Sequence, residues 1–275
     1  MKGKLFDFSS RTAFVTGAAS GIGLSIARAL LANGVRVAMA DWDVDALNSA
    51  VAEQSSAAMA IALDVTNRAD WAHAKALVEA RFGPVSILVN NAGIGPDGST
   101  LDAIEPACFD RMIAIKLTGT YNGIHSFVPT MRKIGSGHVV NTASMAGLIA
   151  SARLGAYTAA KFAVVGLSEV LRAELADSGI GVSVLCPGLV ATNLGATTEK
   201  AGSLRIERQS TALGIDPDLV GQMVMDGIRH NHMHIVSHAE YRNLVVSRMD
   251  HIVGAFDRAK VQSAADLPGA DVAQN

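Results

Sequence analysis

The chain has 275 residues, of which 49% are hydrophobic and 17% are charged. This composition provides for a sizeable buried core, which excludes a chain that is disordered throughout. Lys and Arg number 23 against 25 Asp and Glu, and the formal net charge of -2 leaves no basic excess for binding nucleic acid.

The sequence also favours a cytoplasmic protein that makes no membrane contact. Cys108 and Cys186 lie far apart, which favours a reducing compartment over a disulfide framework. Polar residues follow the basic start of the chain and interrupt any apolar signal segment. No run of about 18 apolar residues occurs, the length that a membrane-spanning helix needs.

Short apolar runs alternate with helical stretches along most of the chain, and such runs are typical of strands buried on both faces. The predicted strands are 12–16, 35–40, 59–63, 86–90, 138–142, 182–186 and 233–237. The predicted helices are 22–33, 44–54, 68–82, 106–134, 157–178 and 217–230. This alternation predicts an α/β fold of the doubly wound Rossmann type, with a seven-stranded, mainly parallel sheet and helices on both faces.

One domain is predicted for residues 1–258, because no boundary rich in Pro or Ser interrupts the alternation. Residues 195–214 lack a clear period and are rich in Thr, Ser and charge, which predicts a loop or a mobile helical lid over the substrate. Residues 259–275 are small and polar, so a flexible C-terminal tail is expected there.

A glycine-rich loop, Thr16–Gly23, joins the first predicted strand to the first predicted helix. Its glycines allow a pyrophosphate to approach the backbone, and the helix offers free N–H groups and a positive dipole end. A tight turn is the plainer interpretation, but the position within a βαβ unit favours a dinucleotide site. The loop residues predicted to bind the cofactor are Gly17, Ser20, Gly21, Ile22 and Gly23.

An acidic residue, Asp41, ends the second strand eighteen residues after Gly23. A carboxylate at this place accepts hydrogen bonds from the adenosine ribose and repels the 2′-phosphate of NADP. The alternative is an acid that stabilises the N-terminus of the next helix. Because neither Ala19 nor Trp42 supplies an arginine for a 2′-phosphate, NAD is the predicted cofactor, with Asp41 and Trp42 in its site.

The pattern Thr-Gly-x-x-x-Gly-x-Gly in this loop resembles the short-chain dehydrogenase/reductase family, and further segments over about residues 10–240 agree with it. They are Asp64-Val65, Asn90-Asn91-Ala92-Gly93, the set Ser144, Tyr157 and Lys161, and Pro187 to Thr192. The resemblance implies contacts with adenine, with the adenosine ribose and with the nicotinamide carboxamide. The residues to which it assigns these contacts are Asp64, Val65, Asn91, Ala92, Gly93, Pro187, Gly188, Val190 and Thr192.

The predicted catalytic residues are Ser144, Tyr157 and Lys161, of which the last two also contact the cofactor. Tyr157 and Lys161 are four residues apart and share one face of a helix. A free tyrosine has a pKa of about 10, so a lysine ammonium and the positive nicotinamide ring are expected to favour the phenolate. Tyr157 would remove the alcohol proton and Ser144 would hold the substrate oxygen. The alternatives are a turn residue for Ser144 and a surface pair for Tyr157 and Lys161.

One departure from the family pattern is Lys116, which stands where the family usually has an asparagine that helps to hold a water. Charged Lys116 cannot accept a hydrogen bond. Two interpretations remain equally open: an altered proton relay that includes Lys116, or a substitution whose side chain turns away. Lys116 also motivates the alternative function, an NAD-binding sensor or regulatory protein with impaired turnover.

The predicted activity is hydride transfer between NAD and a secondary alcohol or ketone. Apolar residues near the site favour a hydrophobic or aromatic substrate, namely Leu148, Ile149, Leu154 and Leu189. The resemblance implies a homotetramer or homodimer through the helices 106–134 and 157–178. A cluster of histidines, His230, His232, His234 and His238, is interpreted as the rim of the substrate cleft, and no metal is expected.

Overall fold

The computed structural model describes residues 5–192, 194, 198–199 and 214–258. Within them a seven-stranded sheet has the order β3-β2-β1-β4-β5-β6-β7, and every neighbouring pair is parallel. The strands are β1 Thr12–Thr16, β2 Arg36–Asp41, β3 Ala58–Ala62, β4 Ile87–Asn90, β5 Gly137–Thr142, β6 Ile180–Cys186 and β7 His234–Val236. The predicted fold class is confirmed, and each predicted strand is present within two residues of its predicted bounds.

Helices connect these strands and cover both faces of the sheet. They are α1 Gly21–Ala32, α2 Val44–Ala52, α3 Arg68–Phe82, α4 Pro106–Ile113, α5 Gly119–Ile134, α6 Gly155–Glu174 and α7 Pro217–His230. A further helix, α8, spans Arg242–Arg258 and was not predicted from the sequence. Polar side chains begin several of them: Asp43 caps α2, Asn67 caps α3 and Asp216 caps α7, each by accepting a hydrogen bond from a backbone N–H.

The two faces of the sheet bury separate apolar clusters because the strands are apolar on both sides. One cluster joins β1, β2 and β4 to α1 and α7, and the other joins the opposite face to α3 and α5. In the second cluster the ring of Phe14 lies 4.9 Å from that of Phe127 and 5.7 Å from that of Trp71. This burial of large apolar side chains is the main stabilising contribution to such a fold.

The strand order creates a crevice at the carboxyl edge of the sheet. From β1 the chain crosses to β2 on one side, whereas the neighbour of β1 on the other side, β4, leads on to β5. The connections that follow β1 and β4 therefore diverge, and open α/β sheets bind ligands at such a point. The loops after β1, β4, β5 and β6 carry about half of the predicted site residues, and Tyr157 and Lys161 lie on α6.

The long helix predicted at 106–134 is interrupted. Residues Ala114–Thr118 form a π-helical turn between α4 and α5, and Lys116 is its buried residue. Apolar periodicity does not reveal such a turn, because the insertion of one residue barely disturbs the apolar pattern. Short π-helical turns are frequent at functional sites.

The described residues divide into two compact units, one that ends at His238 and one that begins at Ala239. The second unit contains a short 3₁₀ turn, Ala239–Tyr241, and α8. The predicted domain 1–258 had placed these residues with the first unit. The predicted lid lies outside the described residues apart from Thr198, Glu199 and Gly214, and the predicted tail lies outside them altogether. Among the described helices, none has both the length and the apolar character needed to cross a membrane.

Candidate active site

The glycine loop brings backbone and helix N-terminus together at the end of β1. Gly17 and Gly21 have positive φ angles of 65° and 54°, which side-chain-bearing residues rarely adopt. At Gly17 a Cβ would lie 2.9 Å from Cα of Ala92, and at Gly23 it would collide with the carbonyl oxygen of Gly17. Ser20 caps α1 without a side-chain hydrogen bond, so its hydroxyl does not satisfy the first-turn N–H groups.

The carboxylate of Asp41 holds this loop against the end of β2. Its Oδ2 accepts a hydrogen bond from the Ala19 N–H at 3.1 Å, and its Oδ1 accepts one from the Asp43 N–H at 3.1 Å. Burial raises the pKa of Asp41 above its ordinary value, while these backbone hydrogen bonds oppose the shift. Asp43, and not Asp41, caps the N-terminus of α2. Asp41 lies beside the glycine loop, and the half-exposed Trp42 follows it in the chain.

Asn91 ties the end of β4 to the glycine loop. Its side-chain amide donates to the carbonyl oxygens of Thr16 and Gly17 at 3.1 and 3.3 Å. The hydroxyl of Thr16 accepts hydrogen bonds from the backbone N–H groups of Asn91 and Ala92 at 2.9 and 3.0 Å. Thr16 was not predicted as a site residue, although its position directly before the first glycine is a usable signal.

The segment after β3 turns sharply. Asp64 Oδ1 accepts hydrogen bonds from both the backbone N–H and the hydroxyl of Thr66. The carbonyl oxygen of buried Val65 accepts from Trp71 Nε1 at 2.9 Å and from Asn122 Nδ2 at 3.0 Å. These bonds place Val65 against Gly119, near the π-helical turn, while Asp64 stays exposed at the edge of the sheet.

The segment after β6 covers the glycine loop from the other side. A Cβ at Gly21 would lie 3.0 Å from the methyl group of Thr192, so Thr192 packs directly over that glycine. His238 supports this segment, because its Nδ1 lies 3.2 Å from the Gly188 N–H and its ring fills the space where a Gly188 side chain would be. Val190 is buried in the core, where it forms an isolated parallel bridge with Ile215.

Ser144 and Tyr157 are brought together at the end of β5. Ser144 begins a 3₁₀ turn, where its hydroxyl accepts from the Ala146 N–H at 3.2 Å and donates to the Pro187 carbonyl oxygen at 3.4 Å. The same hydroxyl forms a side-chain hydrogen bond with Tyr157, which lowers the pKa of that phenol. Burial has the larger effect, so the pKa of Tyr157 is raised above 10.0. The protein alone therefore does not supply the lowered pKa expected from the sequence, because desolvation of the phenolate outweighs its hydrogen bond.

Lys161 lies one helical turn after Tyr157 on α6 and is only 3% exposed. Its Nζ donates a hydrogen bond to the Thr142 carbonyl oxygen at 2.5 Å and lies 5.7 Å from the centre of the Tyr157 ring. Burial lowers the pKa of Lys161 to about 8, although the nearby Cys186 and a hydrogen bond with Lys116 act in the opposite direction. Lys161 is thus buried and Tyr157 partly buried, so the alternative of a surface pair does not fit this geometry.

Lys116 points into the same site. Its side chain is 4% exposed, and its Nζ lies 5.0 Å from the centre of the Tyr157 ring, beside which Lys161 Nζ also lies. A Cβ at Gly93 would collide with Nζ of Lys116, so the glycine after Ala92 leaves room for this amine. The structure therefore does not turn the Lys116 side chain away from Tyr157 and Lys161.

Three of the four clustered histidines lie elsewhere. His230 and His232 contact Asp226 at 2.9 and 3.9 Å, and His234 contacts Glu169 at 3.3 Å. Because β7 is parallel to the other strands, these residues lie at its amino end, on the edge of the sheet opposite to Tyr157. The predicted position at the rim of the cleft is wrong for them and fits only His238, which follows β7. No group of three or more metal-ligating side chains is present among the described residues.

The family of this chain follows from a sequence profile described as short chain dehydrogenase, which matches residues 11–202. The chain belongs to the short-chain dehydrogenase/reductase family. It is thus an oxidoreductase of that family, and the matched residues include the glycine loop, Asp41, Ser144, Tyr157 and Lys161.

Relatives within the short-chain dehydrogenase/reductases support this over most of the chain. A C alpha-dehydrogenase of Sphingobium sp. strain SYK-6 is 33% identical over 254 residues, which cover 86% of this chain and 83% of that protein. A 3-alpha-(or 20-beta)-hydroxysteroid dehydrogenase of Mycobacterium bovis is 38% identical over 192 residues, 70% of this chain and 72% of the relative. The crystal structure of a short-chain dehydrogenase/reductase from Burkholderia phymatum in complex with NAD has a TM-score of 0.84 and 28% identity, and the match covers 94% and 99% of the two chains.

Proposed function

We propose that this chain is an NAD-dependent dehydrogenase that transfers a hydride between NAD and a secondary alcohol or ketone. The observation that carries the proposal is the position of Tyr157. It lies partly buried between the Ser144 hydroxyl and the Lys161 ammonium, at the same edge of the sheet as the glycine loop and Asp41. In this proposal one crevice combines a proton acceptor, a ligand for the substrate oxygen and a site for the dinucleotide.

The described residues fit a dinucleotide at this edge. Gly17 and Gly21 adopt positive φ, and added side chains there would meet Ala92 and Thr192, so a phosphate group can approach the backbone closely. Asp41 places a carboxylate beside the loop for the hydroxyls of an adenosine ribose and against a 2′-phosphate. The short-chain dehydrogenase/reductase of Burkholderia phymatum, of similar fold, was crystallised in complex with NAD. When bound, the nicotinamide supplies the hydride acceptor or donor.

Three side chains perform the proton chemistry in this proposal. The Ser144 hydroxyl holds and orients the substrate oxygen, and Tyr157 takes the hydroxyl proton during alcohol oxidation. Since burial raises the pKa of Tyr157, its phenolate depends on positive charge nearby. The Lys161 ammonium supplies that charge at 5.7 Å from the ring centre, with its direction fixed by the Thr142 carbonyl oxygen.

The surroundings of the site support a hydrophobic or aromatic substrate. Tyr157 packs on an apolar cluster that contains buried Ile94 and Met112. Leu101 packs against Gly155 at the start of α6 and is 67% exposed, and Leu189, after β6, is 38% exposed. Leu148, Ile149 and Leu154 are partly exposed. A relative that acts on hydroxysteroids is consistent with such a substrate.

The test is hydride transfer measured by NADH absorbance with a panel of secondary alcohols. The panel pairs aryl carbinols and hydroxysteroids with two polar alcohols, 3-hydroxybutyrate and a sugar alcohol. We expect kcat/KM to be highest for an apolar alcohol and to be higher with NAD than with NADP. Turnover confined to polar alcohols would contradict the substrate class, and turnover with NADP alone would contradict the cofactor.

The same assay separates the enzyme from the alternative function, an NAD-binding sensor. Buried Lys116 beside Lys161 is the observation that keeps this alternative, because a second amine changes the charge balance around Tyr157. NAD binding measured by calorimetry, without turnover of any alcohol in the panel, would favour the sensor.

The proposal includes a homotetramer or homodimer formed through the helices on either side of the site. Val170 on α6 is 57% exposed, and Tyr121 on α5 is 44% exposed with its ring stacked on that of His125. Apolar side chains on outer helix faces are consistent with a partner chain there. Sedimentation that detects only a 28.5 kDa species would contradict the oligomer.

A further inference from the structure

Two lysine amines lie beside the same aromatic ring in a buried site. Lys116 and Lys161 are 4% and 3% exposed, and their Nζ atoms lie 5.0 and 5.7 Å from the centre of the Tyr157 ring. Two ammonium groups cannot hydrogen-bond to each other, because an ammonium has three donors and no acceptor. A hydrogen bond between the two amines therefore requires one of them to be neutral.

The neighbours of the two amines decide which one is neutral. Lys161 donates to the Thr142 carbonyl oxygen, a contact that favours its charged form. Lys116 Nζ lies against Gly93 and the face of the Tyr157 ring, and Lys161 is the charged group that acts on it. Burial, the charge of Lys161 and the hydrogen bond with Lys161 all hold the pKa of Lys116 well below its ordinary value.

The other titratable groups that face the pair do not change this assignment. Cys186 lies near Lys161, and burial raises the pKa of its thiol to about 12, so it is neutral at physiological pH. Tyr157 is a neutral phenol until its proton is lost, since burial raises its pKa. Among the described residues, no carboxylate contributes to the pKa of Lys116.

We propose that Lys116 is a positioning residue whose neutral amine accepts a hydrogen bond from the Lys161 ammonium, so that the two lysines hold one proton between them, on Lys161. The Thr142 carbonyl oxygen and the Lys116 amine fix two of the three N–H donors of that ammonium. The third stays available for the crevice. This inference rests on the proposed function in one respect only, that the Lys161 charge serves the Tyr157 phenolate.

Three features of the surrounding structure hold the Lys116 side chain in the site. The π-helical turn Ala114–Thr118 has Lys116 as its buried residue. The Thr120 hydroxyl donates to the Lys116 carbonyl oxygen at 2.8 Å, which satisfies a buried backbone acceptor one turn away. Gly93 leaves the space that Nζ occupies, so a larger residue there would displace the amine. The arrangement therefore depends on the turn, on Gly93 and on Lys161 together.

The charge states can be measured without any catalytic assay. In protein labelled with [13Cε]-lysine, NMR signals of the two residues are assigned with the variants Lys116→Met and Lys161→Met and followed from pH 5 to 11. At pH 7 we expect the Lys116 signal to have the shift of a neutral amine and the Lys161 signal that of an ammonium. Any other distribution of charge at pH 7, including two charged or two neutral amines, overturns the proposal.

The consequence for turnover is tested by the pH dependence of kcat/KM for alcohol oxidation. Lys116→Met removes the acceptor that keeps the proton on Lys161, so the rising limb of the profile should move by about one unit to higher pH. Lys116→Arg, whose guanidinium stays charged, should lower kcat/KM more than Lys116→Met does. Lys133→Met, on the exposed end of α5, is the matched control and should leave the profile in place.

These measurements keep the two proposals apart. Neutral Lys116 in the NMR titration together with no turnover of any alcohol would contradict the proposed function and leave the lysine pair established. Turnover with profiles that superimpose for the wild type and Lys116→Met would overturn the positioning role, as would an Lys116→Arg variant as active as the wild type.

Discussion

The two edges of the sheet both carry titratable side chains, but they differ in how far water reaches them. At the carboxyl edge Lys116 and Lys161 are almost completely buried, and no carboxylate among the described residues contributes to the pKa of Lys116. At the amino edge the side chains of His230 and His234 are each 42% exposed and lie beside carboxylates. Clustering of titratable side chains alone does not distinguish the two edges.

The difference shows that burial distinguishes a candidate chemical site from a solvated cluster. A charge on a buried side chain such as Lys161 changes the pKa of its neighbours strongly, because desolvation and Coulomb interactions are large where water is excluded. A charge pair in water contributes little, since solvent screens it. Four substitutions test this contrast, and they are taken from the largest expected effect to the smallest.

Tyr157→Phe should reduce turnover by about 10²–10⁴-fold, because the ring keeps its packing and only the proton acceptor is lost. NAD affinity should stay within a few-fold of the wild-type value, since the hydroxyl is not needed to fill the crevice. The measurements are kcat for the preferred alcohol and the Kd of NAD by calorimetry. Unchanged turnover would contradict the mechanism, and an equal loss of NAD affinity would assign Tyr157 a structural role.

His138 is an exception at the amino edge, because it is only 1% exposed. Its burial allows the effect of water access to be measured through folding stability. Burial and the charge of Arg172 lower its pKa to about 3, and its Nε2 lies 2.8 Å from the Ser183 hydroxyl. The folded pKa lies below the ordinary value, so the unfolded state binds the proton more readily. This residue therefore costs folding stability as the pH falls from about 6.5 towards 3.

His138→Gln should weaken that acid sensitivity, because an amide can bond to Ser183 without titrating. Between pH 7 and 4.5 the free energy of unfolding should fall by roughly 2 kcal/mol more in the wild type than in the variant. Urea denaturation at the two pH values measures this difference. His230→Gln, at the exposed end of α7, is the control and should follow the wild type. Equal losses in His138→Gln and the wild type would show that His138 does not titrate in this range.

Much of this contrast could be predicted from the sequence, because it follows from local patterns. The apolar runs predicted the positions of the strands. The candidate site at the carboxyl edge was indicated by the glycine loop with Asp41 and by the set Ser144, Tyr157 and Lys161. The orientation of Lys116 could not be predicted, because it depends on a π-helical turn and on space left by Gly93. The raised pKa of Tyr157 also required the structure, since burial is a property of the packed chain.

The contrast between His238 and the other three histidines was likewise beyond the sequence. His238 lies two residues after β7 and supports Gly188, whereas His234 begins β7 at the opposite edge. His234 and His238 are only four residues apart, but the strand between them places them at opposite edges of the sheet. Helix α8 was not predicted for a different reason. It follows the last strand, and the alternation of strands and helices gives no signal for a helix at that place.

Asp41→Ala should narrow the preference of the enzyme for NAD over NADP by about tenfold, because the carboxylate no longer repels a 2′-phosphate. The measurement is the ratio of kcat/KM for the two cofactors with one alcohol. Asp41→Asn keeps an acceptor for the Ala19 N–H and should shift the ratio in the same direction. Asp43→Asn removes a charge two residues away while it retains a cap for α2, and should leave the ratio nearly unchanged.

Asp226→Asn should have the smallest effect of the four substitutions, and it tests whether an exposed charge pair contributes little to stability. Asp226 contacts His230 at 2.9 Å and His232 at 3.9 Å, but its side chain is 56% exposed and the two histidine side chains are 42% and 56% exposed. Solvent screens such pairs, so the free energy of unfolding should change by less than about 0.5 kcal/mol at pH 6. The rings of His230 and His232 stack at 5.4 Å, and this contact does not involve the carboxylate. Turnover should be unchanged, because these residues lie at the amino edge of the sheet. Urea denaturation and kcat/KM of the variant provide the check: a loss of several kcal/mol, or of tenfold in turnover, would mean that water access does not separate the two edges as their exposed fractions indicate.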